Sequence, residues 1–209
     1  MNSKRSLVRR TVAVATAGAA AVVLAACGGN DDSTNSGHDG HTTKSPSASA
    51  SASQGQDNAA DVKFAQGMIP HHRQAVEMAD LASTRAQSAQ VKTLAEDIKK
   101  AQDPEIKTLS GWLTSWGEEV PAEDAMDHSM HESGGMMTAE DMDELEKASG
   151  KAFDTAFLEM MIKHHEGAVA MAESEQADGA YGPAKKMADA IVTSQSAEIS
   201  EMNTLLGKN

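Results

Sequence analysis

Sliding the chain along itself by 93 residues, with no gap, lays one stretch of its C-terminal part on another. Asp61 falls on Asp154, Phe64 on Phe157, Met68 on Met161, and His71-His72 on His164-His165. The register holds through Ala75-Val76, Met78-Ala79, Lys92, Ala95, Ile98, Gln102, Glu105-Ile106 and Leu113. These meet Ala168-Val169, Met171-Ala172, Lys185, Ala188, Ile191, Gln195, Glu198-Ile199 and Leu206. Two copies of one unit point to a bundle with an approximate two-fold axis rather than a long solenoid.

Each unit reads as two helices. Phe64, Met68, His71, Ala75 and Met78 recur at helical spacing, as do Val91, Leu94, Ile98, Ile106, Leu109 and Leu113 further on. The second copy repeats the stripes with Phe157, Met161, His164, Ala168 and Met171, then Met187, Ile191, Ile199, Met202 and Leu206. Pro183 suits the start of the last helix and Gly207 its end. Pro70 and Pro104 sit inside helical patterns whose repeat partners, Lys163 and Ala197, are helix-compatible, so kinks rather than breaks are expected there. Thr138 to Ser149 reads as a short extra helix followed by Gly150. The predicted fold is all-α, a four-helix bundle of two duplicated helical hairpins.

Ahead of this domain, Lys4, Arg5, Arg9 and Arg10 precede an apolar small-residue run from Thr11 to Leu24, the anatomy of an export signal. The run ends in Leu24-Ala25-Ala26-Cys27, and Cys27 is the sole cysteine, an arrangement resembling the lipobox of bacterial lipoproteins. A lipidated Cys27 leaves no free thiol for catalysis, metal binding or a disulfide. Gly28 to about Asn58 is polar, with the alternating "SASASAS", and cannot bury enough apolar surface to offset chain entropy. The chain is thus read as a signal peptide over 1–26, a disordered lipid-anchored linker over 27–58, and a duplicated domain over 59–209. Its repeat units span about 59–117 and 152–209, joined by a Met/His-rich connector over about 122–150. Export would place it on the outer face of the cytoplasmic membrane or in the periplasm or cell envelope, held to the membrane by the N-terminal lipid. His38 and His41 are read as incidental polar linker residues.

Removing the signal takes away four positive side chains and no acidic one, which moves the formal charge from −13 to −17. Such a polyanion is unsuited to neutralising phosphates, so nucleic acid is excluded as a partner. With aromatic residues at 3%, there are few platforms for stacking on bases or sugars. A nucleophile elbow, a phosphate-cradling glycine loop and a zinc-protease "HExxH" are all missing, so nothing suggests a hydrolase.

The chemistry gathers in the repeated Met-x-x-His-His. Neighbours on a helix point about 100° apart, so the two histidines of a pair seldom reach one spot, whereas Met68 lies beneath both His71 and His72. Met161, His164 and His165 repeat the arrangement. Gln102 with Glu105, and Gln195 with Glu198, stand three apart on the partner helices as orienting partners or additional ligands. Ferritin-like bundles take a Glu from each of two helices and Glu-x-x-His from each of the other two. Here Met stands in the place of that second Glu. Carboxylate-rich sites suit iron and manganese, while thioether with imidazole suits copper, above all Cu(I). A second candidate is the connector segment "MDHSMHESGGMM", with Met126, His128, Met130, His131, Met136 and Met137 around a flexible Gly134-Gly135, able to wrap a soft ion without a preformed cage. The plainer alternative is that these methionines pack in the core and the histidines are hydrogen-bonded, half-buried residues.

The paired histidine helices, the Met-rich middle and the Gln-x-x-Glu-Ile partner helices resemble the bacterial domain-of-unknown-function family numbered 305, over Ala59 to Leu206. The resemblance implies a ferritin-like four-helix fold. Many members are exported or lipid-anchored, and some bind copper and support copper tolerance. It implies core ligands at Met68, His71, His72, Met161, His164 and His165, and a second site in Met126 to Met137. The expectation is an extracytoplasmic protein, not an enzyme, that sequesters Cu(I), Cu(II) or silver or hands it to an envelope metal-handling partner. A ferritin-like oxidase using iron, manganese or copper, and a structural or interaction module of the envelope, are the alternatives.

Overall fold

In a computed structural model, the structure describes residues 56–122 and 134–208. Five helices follow one another: α1 (Ala59–Arg85), α2 (Ala89–Trp116), α3 (Ala139–Lys147), α4 (Gly150–Asp178) and α5 (Gly182–Leu205). α1 packs on α2 and α4 on α5, and the two hairpins meet along α1 and α4. The short α3 bridges them, so the all-α bundle of two hairpins expected from the repeat is what forms. Among the described residues no helix is long and apolar enough to cross a membrane. The signal peptide, Cys27 and nearly all of the linker lie outside the described residues.

Local chemistry sets the helix ends. Asn58 caps α1 by accepting from the Ala60 and Asp61 amides, while the Asp61 carboxylate accepts from the Asn58 amide at 2.7 Å. Thr138 and Asp141 form the same reciprocal box at α3. Such a cap satisfies amides that no turn of helix can reach and is worth about 1 kcal/mol. α2 ends at Gly117, whose φ of 79° is a conformation that favours glycine. Gly150 follows the extra helix, as expected, and also opens α4. α1 and α2 run unbroken through Pro70 and Pro104.

Asp61 and Asp154, partners in the repeat, perform matched jobs across the hairpins. Asp61 accepts from the Ala180 and Tyr181 amides in the α4–α5 turn, the latter at 2.9 Å. Asp154 accepts from Gln87 and Ser88 in the α1–α2 turn at 3.0 and 2.9 Å. Each unit therefore ties down the turn of the other.

The core divides in two. One apolar cluster gathers Ala75, Met78, Leu94, Ile98, Phe153, Phe157, Met161 and Met202. The other gathers Phe64, Met68, Ile69, Leu109, Leu113, Ala168, Ala188 and Ile191. On every long helix the residues between these clusters are polar and buried: His71 and His72 on α1, Gln102 on α2, His164 and His165 on α4, Gln195 on α5. Two oily ends thus enclose a polar waist.

A histidine waist as candidate metal centre

The waist needs explanation, because a buried polar group without a hydrogen bond costs about 1–3 kcal/mol. His72 and His165 are each met by the carboxylate that follows the waist glutamine by three residues. His72 Nε2 lies 2.8 Å from Glu105 Oε2, and His165 Nε2 lies 2.6 Å from Glu198 Oε2. Both imidazoles are fully buried while the carboxylates are about one-fifth exposed. His71 Nε2 donates to the Gly134 carbonyl at 2.8 Å. In all three rings the outer nitrogen is engaged and Nδ1 has no partner. His164 has a partner for neither nitrogen. Both amide atoms of Gln102 and the Oε1 of Gln195 are likewise unpartnered.

Between the hairpins, His71 and His164 meet ring to ring, with centroids 3.7 Å apart and planes tilted by 41°. Two imidazolium ions could not sit so close without water. Burial, reinforced by the neighbouring histidines, pushes His71 down to about 3 and holds His164 well below the usual imidazole value. Both rings are therefore neutral at physiological pH, and a lone pair is available on each without loss of a proton.

Met68 and Met161 are fully buried, one in each apolar cluster, so a thioether stands on either side of the waist. Among the described residues no three His, Cys, Asp or Glu side chains are grouped to share an ion. Imidazole and thioether donors together suit a soft ion, whereas a hard ion needs a cage of oxygens. Glu105 and Glu198 serve the outer nitrogens of His72 and His165, the usual way a ligating histidine is oriented.

Of the connector residues, Met126, His128, Met130 and His131 lie outside the described residues. Met136 is half-buried and Met137 is 2% exposed, its side chain joining the first apolar cluster. The C-terminal end of the expected flexible loop is thus docked on the bundle. Three features escaped the sequence reading. Gln74 and Gly167 hold that docked end, and their signal was that they differ from each other at a shared register position within the histidine block. The third is Glu175, buried beside Asp61, where the first repeat has Ala82.

Replacing either Glu105 or Glu198 by alanine should leave an imidazole Nε2 buried without an acceptor. The expected cost is about 1–3 kcal/mol, a fall in melting temperature of roughly 2–10 °C for a domain of this size. The repeat predicts similar losses at both positions. Calorimetry of the metal-free variants checks this, and no loss at either would mean the carboxylates orient nothing.

The profile of the family described as domain of unknown function (DUF305) matches residues 61–206. This chain belongs to the DUF305 family. Among solved DUF305 structures, a fragment from Deinococcus radiodurans is 30% identical, aligning 74% of this chain with all of that one at a TM-score of 0.66. A Streptomyces coelicolor DUF305 protein, thought to be secreted, is 33% identical over 71% of this chain and 93% of its own, with a TM-score of 0.64. CopM in its Cu(II)-bound form is 34% identical over 69% of this chain and 94% of its own, with a TM-score of 0.60. CopM is also known in Cu(I)-bound and Ag-bound forms. No functionally curated protein is similar.

Proposed function

We propose that this protein is an extracytoplasmic, membrane-anchored copper-binding protein. It holds Cu(I), with silver as a close surrogate and Cu(II) as a weaker guest, for sequestration or for transfer to an envelope partner. The observation that carries the reading is a set of buried imidazole nitrogens without partners, flanked on both sides by buried thioethers. A purely structural waist would leave those nitrogens as uncompensated cost. The likeness to CopM, which has been solved with copper and with silver, points the same way.

In this reading the ion is cargo. Nδ1 of His71, His72 or His165 and a nitrogen of His164 are the imidazole donors, with Met68 and Met161 supplying sulfur. Thioether needs no deprotonation, so the site keeps its ligands in acidic, oxidising surroundings. The connector's Met126, His128, Met130 and His131 provide the first capture, and a lipid on Cys27 keeps the domain at the membrane. An oxidase is the lesser reading because the carboxylates it would need as metal ligands are engaged by His72 and His165.

The deciding experiment is a Cu(I) competition titration of the protein beside Met68→Leu/Met161→Leu. Leucine keeps the volume and apolarity of methionine, so the double change should cost under about 3 kcal/mol in stability. If the thioethers are ligands, affinity falls by at least tenfold in a folded protein. An unchanged affinity would return both methionines to plain core packing.

A further inference from the structure

The chain from Gly134 to Met137 forms a strap over the waist where α1 meets α4. On the α1 side, Gln74 grips it through both atoms of its amide: Nε2 donates to the Met137 carbonyl at 2.9 Å and Oε1 accepts from the Met137 amide at 2.7 Å. Gln74 is buried, and so are both bonds. On the α4 side the strap lies on bare helix. A Cβ added at Gly167 would fall 1.7 Å from the Gly134 oxygen and 2.3 Å from its carbonyl carbon, a clash with backbone that cannot be relieved by turning a side chain. Gly135 has a φ of 78°, and a Cβ there would come within 2.4 Å of the Lys163 carbonyl. Gln74 and Gly167 share one register position in the repeat, where one copy supplies an amide to hold the strap and the other supplies the space to seat it.

The strap ends on the histidines, because the Gly134 carbonyl is the acceptor for His71 Nε2. That carbonyl occupies, for His71, the role that the Glu105 carboxylate has for His72 and the Glu198 carboxylate for His165. A hydrogen bond from the outer nitrogen of a ligating imidazole fixes which nitrogen is free and how the ring is turned. We propose that the strap is a positioning element for His71: Gln74 and Gly167 hold the Gly134 carbonyl so that Nδ1 of His71 is the nitrogen offered to the ion. His164, in ring contact with it, is left as the untethered member of the pair. This rests on reading the waist as the copper site, but its first test needs no metal.

The test compares Gly167→Ala and Gln74→Leu with the parent, in the full chain. Alanine at a helix interior favours helix, so α4 keeps its reason to form, while Gln74→Leu removes the grip without a clash. As a control, Gly67→Ala adds a Cβ whose nearest neighbour is the Met171 sulfur at 3.5 Å, an ordinary contact. In the metal-free protein, nitrogen-resolved imidazole spectra should show His71 protonated at Nε2 in the parent and control. Both strap variants should lose that single tautomer, with the Met137 amide exchanging at least tenfold faster. Cu(I) affinity should then fall by about 10- to 100-fold in both variants and stay at the parent value in the control. A freed Met137 amide with the His71 tautomer unchanged would overturn the proposal. So would a lost tautomer with undiminished Cu(I) affinity. Should the parent itself bind no Cu(I), the copper reading fails, while the tautomer shift still decides whether the strap positions His71.

Discussion

Changing His164 to leucine should raise the melting temperature of the metal-free protein while removing the bundle's affinity for Cu(I). The stability gain follows from burial: His164 is fully inaccessible and neither ring nitrogen has a hydrogen-bond partner. Such a group costs about 1–3 kcal/mol, and an apolar side chain of similar size relieves that cost. At about 2–4 °C per kcal/mol, the expected gain is roughly 2–10 °C. The loss of affinity follows from the same ring being the untethered donor of the central pair. Removing a ligand should cost at least as much as disturbing its orienting partner, so a fall on the order of 100-fold is expected. Calorimetry of the apoprotein and a Cu(I) competition titration read the two effects separately. A lower melting temperature would mean that His164 makes stabilising contacts, and retained affinity would remove it from the site. Stability given up at a functional residue is a familiar trade in proteins that sit just above their stability threshold.

The second large effect concerns pH. Glu175 is 2% exposed, lies against Gly179 and has no donor to either oxygen. It meets Asp61, and two carboxyl groups can share a hydrogen bond only if one carries the proton. Burial, the hydrogen bond to Asp61 and its charge push Glu175 up to about 8, with Lys185 opposing. Asp61 moves the other way: burial raises it, but hydrogen bonds from Glu175 and from the Tyr181, Asn58 and Ala180 amides outweigh this and hold it below its usual value. Between pH 4.5 and about 8 the folded chain therefore keeps a proton that the unfolded chain has released. Stability from Glu175 is fully present below 4.5 and falls as pH rises, by about 1.4 kcal/mol per unit and at most about 5 kcal/mol in all.

His71 and His164, held below their usual 6.5, act in the opposite sense. Their contribution is present above 6.5 and lost on acidification, as the unfolded chain takes up protons that the folded one refuses. Between 4.5 and 6.5 two histidines outweigh one glutamate, and above 6.5 the glutamate acts without them. The metal-free protein should accordingly be most stable near pH 6.5, as thermal melts across a pH series would show. Glu175→Gln offers Asp61 a permanent amide donor, so the decline between 6.5 and 8 should disappear in that variant. Its survival would assign the decline to other groups.

Much of this architecture was legible because duplication prints the same positions twice. Phe64 with Phe157, and Met68 with Met161, announced the buried stripes, and all four pairs of polar waist and thioether residues were visible as repeats. Their partners were not. Nothing in a helical period says that His71 will face His164 across the hairpins while His72 turns to Glu105, because that choice depends on how α1 and α4 pack. The described end of the connector differs from a mobile loop for a related reason. A polar stretch with paired glycines reads as a free loop, yet Gly135 is small because the helix backbone at Lys163 lies directly beneath it, while Gly134 has a φ of 116° that favours glycine. Proline at 70 and 104 suggested kinks rather than breaks, and both helices do run unbroken through them.

The exchange made by Asp61 and Asp154 bears on where such a chain came from. Each hairpin's turn is pinned by the other hairpin, so a polypeptide of one unit would leave those amides to water unless it paired with a second copy of itself. The duplicated domain thus has, within one chain, the reciprocal contacts of a symmetric dimer. A single linking segment cannot obey a two-fold axis that it must cross, and Gln74 opposite Gly167 is where the two halves differ to accommodate that segment.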